Sequence, residues 1–297
     1  MTATSPVILE RIDHGVIPSN DLGRGFRFWS SFMGAQLGHL TNLTARGLNR
    51  EVPMIVFMTV ANHRGFGLAL QDFRIAPKPA HPMEGVVWGF EVAADNLAEA
   101  AQTAEQQKLS PQRVTDYPAS SPIKESLFVV DPDGNTVELC VRKESSTQPP
   151  QAGVIPLRRI SHVRIEVTDL NLGRDWYCNT FGLAEGDQVP GREQLTLTVP
   201  KSGQLVILRK VDKVADRSTQ CYKGPHIDLR STEESYPEML KRFNRKETYW
   251  GPDPNLIPWH EPDTNTAYGY DPFDNRIQIG IIAQRPMRHG EVARFRT

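Results

Sequence analysis

Residues 11–34 begin Arg11-Ile12-Asp13-His14, pass through Asp21-Leu22, Arg24 and Phe28-Trp29, and end at Met33-Gly34. Residues 159–182 begin Arg159-Ile160-Ser161-His162, pass through Asp169-Leu170, Arg174 and Trp176-Tyr177, and end at Phe181-Gly182. His14 and His162 stand 148 positions apart, and the same offset separates Asp21 from Asp169 and Gly34 from Gly182. An offset shared by a histidine, an acidic helix start, an aromatic pair and a closing glycine marks an internal duplication. Each copy carries a histidine in its first expected strand, where an imidazole can ligate a metal.

Reading outward, Val7–Val16 is an apolar strand carrying His14, and Asp21 is a helix N-cap. Phe26, Phe28, Trp29, Phe32 and Met33 form the apolar helical face, and Gly34 terminates it. The β-rich runs Met54–Val60 and Gly65–Leu70 follow, then a proline-rich connector at Ala76–Pro82. Val86–Val92 opens a second unit, with a helix from Asp95/Asn96 to about Gln107. A hairpin closes it, with Leu127–Val130 and Thr136–Val141 around the turn Asp131-Pro132-Asp133-Gly134-Asn135. The second half repeats the order through Ile160–Val167, Asp169–Thr180, Leu195–Val199 and Gln204–Lys210. It continues through His226–Leu229, Thr232–Phe243 and Thr264–Tyr270, and ends at Arg276–Ile282 after the turn Asp271–Asn275. The expected class is α+β: two tandem domains, each of two βαβββ modules forming a cupped mixed sheet. Their bounds are 8–143 and 157–285, with a polar linker at 144–156 and a tail at 286–297.

The chain's 297 residues suffice for two such cores. Net charge is −1, with basic and acidic residues interspersed, so neither nucleic acid nor an anionic membrane is an expected partner. No apolar run reaches the roughly 18 residues of a membrane span. Cys140, Cys178 and Cys221 are odd in number and lack CxxC spacing, and no secretory signal is visible, which reads as reduced thiols in a cytoplasmic protein.

The strand histidines, the Pro225-His226-Ile227-Asp228-Leu229 run and the hairpin Asp131–Leu139 resemble the vicinal oxygen chelate superfamily. That group holds glyoxalase I, bleomycin-resistance proteins and type I extradiol dioxygenases. Two tandem copies in about 300 residues look most like the extradiol ring-cleaving enzymes. The resemblance implies a metal-free N-terminal copy and a C-terminal copy holding Fe(II), with Mn(II) the alternative. It also implies a small catecholic or related aromatic substrate with O2, and assembly as a homo-oligomer.

In that family ligands sit on the first, fifth and last strands of a domain. In the second copy these positions read His162, His226 and Gln278, and in the first His14, Val87 and Glu138. Two imidazoles and a carboxylate make the facial triad that leaves three sites open on Fe(II). Gln278 departs from it by offering an amide. A glyoxalase-type centre also needs a carboxylate on the fourth strand, and neither Gly67–Leu70 nor Leu205–Leu208 has one. Tyr268 and His260 match the substrate-orienting tyrosine and the proton-accepting histidine of the ring-cleaving enzymes. Bland readings stand beside these. His14, His162 and His226 can be packed strand histidines, Glu138 a polar-pocket residue, Tyr268 a cross-strand packing residue and His260 a loop cap. Two other functions stay open: a metal-free binding or resistance protein with no cofactor, favoured by Val87 and Gln278, and a non-oxidative isomerase or lyase.

Overall fold

The computed structural model describes residues 7–45, 50–58, 67–70, 85–189, 193–214, 226–243, 246–250 and 266–281. Its elements repeat one βαβββ order four times. The first module is β1 (Leu9–Ser19), α1 (Leu22–Arg27) running into a π-helical turn (Phe28–Phe32), β2 (Gln36–Ala45), β3 (Arg50–Met58) and β4 (Gly67–Leu70). The second is β5 (Val87–Glu91), α2 (Ala94–Gln106), β6 (Gln112–Val114), β7 (Ile123–Val130) and β8 (Thr136–Arg142). The third is β9 (Arg159–Val167), α3 (Leu170–Phe181), β10 (Ala184–Val189), β11 (Gln194–Thr198) and β12 (Leu205–Lys210). The fourth is β13 (His226–Ser231), α4 (Tyr236–Arg242), β14 (Lys246–Trp250), β15 (Thr266–Tyr270) and β16 (Arg276–Ile281).

The duplicated motif does the same local work in both copies. Asp21 accepts the amide of Arg24 at 3.0 Å, and Asp169 accepts those of Asn171 and Leu172 at 2.8 and 3.0 Å. Gly182 ends α3 in the left-handed region at φ +68°, and a Cβ there would fall 2.3 Å from the Val7 carbonyl oxygen. By contrast, α2 starts after Ala93 with no side-chain cap, so Asp95 and Asn96 lie inside its first turn. The second strand of each module (β2, β6, β10, β14) is absent from the sequence reading. Polar residues and glycines in Gln36–Ala45 and Ala184–Val189 break the apolar alternation that marks a strand.

The α+β class holds, and each sheet is built from two modules. Which modules share a sheet differs from the expectation. One eight-stranded sheet runs β14-β15-β16-β13-β1-β4-β3-β2, and the other β10-β11-β12-β9-β5-β8-β7-β6. The first module therefore joins the fourth through antiparallel β1 and β13, and the second joins the third through antiparallel β5 and β9. The halves 8–143 and 157–285 do not each close a sheet; each gives one module to either. The reason is geometric. Every module offers the same edge, its first strand, and a repeat in sequence does not say which two edges meet. The connector 144–156 consequently joins two strands of one sheet, β8 and β9, and Ile155 just within it is buried.

One face of each sheet turns inward. Ile227, Leu229, Ile277, Ile279 and Ala267 of the first sheet and Trp88, Phe90, Val163 and Ile165 of the second belong to one continuous apolar core. The sheets meet so closely that a Cβ on Gly15 would lie 2.0 Å from the Trp88 ring. Gln204 bridges them, its amide oxygen accepting from Ile12 N at 2.8 Å and its amide nitrogen donating to the carbonyls of Ile12 and Ile160. The hairpin turns act as reciprocal clamps. Asn135 donates to the Pro18 carbonyl in β1, and Asn275 donates to the Glu166 carbonyl in β9. Each asparagine is held by its own turn's aspartate, Asp131 or Asp271, at 2.8 Å. Among the described residues no helix is long and apolar enough to cross a membrane.

Two expectations follow. Gly15→Ala will cost about 2 kcal/mol or more by overpacking against Trp88. Gly23→Ala, where nothing lies closer than 3.4 Å, will be near neutral; denaturant unfolding reads both. Burial pushes the Asp131 carboxyl up to about 7, against the hydrogen bonds it accepts from Asn135. A group protonated more readily in the folded chain contributes fully below its unfolded value of about 4 and loses that contribution as pH rises through 7. Between about pH 5 and pH 8 the wild type will lose on the order of 2 kcal/mol that Asp131→Asn does not lose, as unfolding curves at both pH values will show.

Candidate functional site

Each sheet presents a polar face opposite the shared core. In the first sheet, strand register lines up four residues across it. His14 on β1 stands opposite Asp228 on β13, Asp228 beside Gln278 on β16, and Gln278 opposite Tyr268 on β15. His226 is two residues from Asp228 on the same face, and its ring meets that of His14 edge to face, with centroids 5.8 Å apart. The β1–β13 ladder slips by one residue between Ile12 and His14, and Asp13 is the extra residue. Its carboxylate consequently reaches the ring of its neighbour, with Asp13 Oδ2 lying 3.1 Å from His14 Nδ1.

The other ring nitrogen of His14, Nε2, lies 3.6 Å from Asp228 Oδ2. Asp228 is fully buried and pairs with Arg230, whose Nε lies 2.6 Å from Oδ1 and whose Nη2 donates to Oδ2 at 2.7 Å. Arg11 Nε donates to Asp13 at 2.7 Å. Burial raises the Asp13 carboxyl, but the hydrogen bond with His14 and the charges of Arg230 and Arg11 override it and hold the group well below the usual carboxylate range. For Asp228 burial wins over the attraction of Arg230 and His14, and the carboxyl is raised. The ligand-bearing atoms of Asp13, His14 and Asp228 lie within 4.8 Å of one another. Gln278 is 1% exposed, and neither its amide oxygen nor its amide nitrogen has a hydrogen-bond partner among the described residues. An unmet buried polar group costs about 1–3 kcal/mol.

The second sheet has the equivalent positions and a different outcome. His162 on β9 is wholly buried, with Nε2 2.8 Å from Glu138 Oε2 on β8. Arg164, two residues on, grips the same carboxylate with Nε at 2.6 Å and Nη2 at 3.0 Å. Tyr117 and Ser126 complete the network. Burial lowers the His162 pKa despite Glu138, leaving a neutral imidazole that donates from Nε2. Burial alone would raise Glu138; the Arg164 guanidinium overrides it and keeps the carboxylate ionised. The remaining cavity beside Arg164 and Gln194 is about 10 Å³, room for one water. At Gly89 a Cβ would fall 2.1 Å from the His162 ring, so the imidazole packs directly on the β5 backbone.

The triad expected from sequence is therefore divided. His226 and Gln278 share the first sheet, while His162 lies in the second with Glu138. The histidine that joins His226 is His14, supplied by the module at the other end of the chain. Tyr268 is in the row with Gln278, as its backbone register shows. His260 lies outside the described residues, as do Cys221 and the 286–297 tail. Sequence reasoning missed Asp228, Arg230 and Arg164. The signal was present in the alternation His226-Ile227-Asp228-Leu229-Arg230, which puts three polar side chains on one face of a strand.

Neither a protein-family model nor a curated protein matches the sequence. Solved structures do. A protein of Bacillus subtilis described provisionally as a dioxygenase has a TM-score of 0.68 at 12% identity, covering 93% of this chain and 86% of its own. A variant of glyoxalase I from Zea mays reaches 0.62 at 15% identity, over 91% and 93%. The glyoxalase I of Zea mays itself reaches 0.59 at 15%, over 91% and 92%. The chain has the vicinal oxygen chelate fold. At these identities the likeness is one of fold, and chemistry has to be argued from the site.

Within this vicinal oxygen chelate fold the second cup is closed by its own cation. Glu138→Gln will leave Arg164 buried without a counter-charge and cost about 3–5 kcal/mol in denaturant unfolding. Glu138→Leu with Arg164→Met removes both charges and will cost much less.

Proposed function

We propose that this chain is a metal-dependent enzyme of the extradiol-dioxygenase type, acting on a catecholic or related small aromatic substrate in the cup of the first sheet. His14, His226 and Gln278 would hold the metal. The observation that carries this reading is the buried amide of Gln278, without a hydrogen-bond partner among the described residues, on the same face as the His14–His226 pair. The residue types suit such a group: the rings of His14 on β1 and His226 on β13 lie 5.8 Å apart, and the Asp13 carboxylate on Nδ1 of His14 orients that ring with Nε2 toward Asp228. Bound Fe(II) supplies open positions for two adjacent substrate oxygens and for O2. The chain's own residues do the rest. Asp13 fixes the His14 ring, Arg230 compensates the buried charge of Asp228, and the apolar side of the sheet keeps water from the core. Tyr268, in the row of Gln278, would orient the substrate hydroxyl, and His260 would accept its proton.

A second reading, a non-oxidative isomerase or lyase, is favoured by one specific observation: His14 lies between two carboxylates, Asp13 and Asp228, an arrangement suited to moving protons. Dependence on O2 separates the two.

Untagged protein purified anaerobically will take up one equivalent of Fe(II). His14→Ala and His226→Ala will lose it, and His162→Ala will keep it, as elemental analysis after desalting will show. Loss of iron in His162→Ala with retention in His14→Ala would return the site to the C-terminal half. Iron-loaded protein will consume O2 with a catechol and form a ring-fission chromophore; turnover of a substrate without O2 would favour the second reading, and absence of iron in the wild type would sink both.

A further inference from the structure

The proposed centre has two neutral imidazoles and a neutral amide, and no anion on β16. We propose that Asp228 is its missing anionic ligand, the carboxylate having moved from the last strand of the module to the register neighbour on β13. This rests on the metal-centre reading above and adds a ligand to it.

Three observations converge. Asp228 is the direct neighbour of Gln278 in the parallel β13–β16 ladder, so both side chains leave the sheet on one face. Asp228 Oδ2 lies 3.6 Å from His14 Nε2. Two donors each about 2.1 Å from one ion stand roughly 3.0–3.4 Å apart at tetrahedral or octahedral angles, so this gap is close to that of two ligands sharing a metal. Gln278, beside Asp228, is buried with both amide atoms unpartnered among the described residues, which marks that side of Asp228 as the place where a ligand is expected. The ion pair with Arg230 does not exhaust the carboxylate. Each oxygen has two lone-pair directions, and Oδ2 can accept Arg230 Nη2 and a metal together.

The second sheet shows the converse arrangement. There the carboxylate is on the last strand, at Glu138, and the residue two beyond the strand histidine is a cation, Arg164. In the first sheet the last strand carries the neutral Gln278, and the residue two beyond His226 is the anion Asp228. Of the two strands in each equivalent ladder, the carboxylate is on the last strand in the second sheet, at Glu138, and on the other strand in the first, at Asp228.

The test is Co(II) titration followed by visible d–d absorption, which reads binding without turnover. The wild type will bind one Co(II). Asp228→Asn will weaken it about 10- to 100-fold or more and change the spectrum. Adding Gln278→Glu to Asp228→Asn will restore affinity to within a few-fold, because the charge returns to the neighbouring strand. Wild-type affinity and spectrum in a folded Asp228→Asn protein would overturn the proposal while leaving the centre intact; so would failure of Gln278→Glu to restore binding. If Asp228→Asn does not fold by circular dichroism, Asp228→Asn with Arg230→Met removes the uncompensated cation, and wild-type Co(II) affinity in that protein would also overturn it. No Co(II) binding by the wild type would overturn the centre itself.

Discussion

The antiparallel pairing of first strands, β1 with β13 and β5 with β9, is the constraint on which everything else depends. No single βαβββ module can bury its apolar face alone, and two modules joined edge to edge make the eight-stranded sheets whose inner faces form the core. The same ladder decides which polar residues become neighbours. The histidines of β1, β9 and β13 are each brought against the first strand of the partner module, so the choice of partner module also decides which histidines meet. Pairing the outermost modules sets His14 against His226, and pairing the inner ones sets His162 against Gly89.

The two cups show how a duplicated scaffold with the same strand order diverges by charge. In the second sheet a buried carboxylate, a guanidinium and an imidazole satisfy one another almost completely, and the cavity beside them has room for about one water. Such a network is stable because every member is met; removing one member exposes the desolvation cost of the others. In the first sheet the corresponding residues are not closed on themselves. The His14 side chain is 17% accessible, and the Gln278 amide has no hydrogen-bond partner among the described residues. Polar satisfaction distinguishes the two cups, since both have similar residue types at similar places.

Much of this was legible beforehand. The Asp21 and Asp169 caps, the Gly34 and Gly182 stops, the aspartate-asparagine hairpins and the four-module order all come from local chemistry, which a sequence displays directly. The strands β2, β6, β10 and β14 were not legible: polar residues and glycines interrupt the apolar alternation in β2 and β10, and β6 is only three residues long. The partnership of modules was hidden for another reason: it is set by which of several equivalent edges meet, a long-range choice that neighbouring residues do not encode. That one ambiguity carried over to the site, pairing His162 with His226 where the fold brings in His14. Asp228 and Arg230 were visible in the strand alternation but lay outside the ligand positions sought.

The order of the sheets also bears on how the chain acquires its shape during synthesis. Modules two and three are contiguous, so the sheet they build, from Val87 to Lys210, closes as a parenthesis inside the other. On a ribosome that inner sheet can complete itself while the fourth module is still being made. The first module meanwhile waits with the edge of β1 uncovered, although the hairpin clamp at Asn135 is already able to grip Pro18. The final event is then the arrival of β13 at β1, and the same event brings His226 to His14. Completion of the fold and the meeting of these two histidines are thus one step, reached only when the last module has emerged.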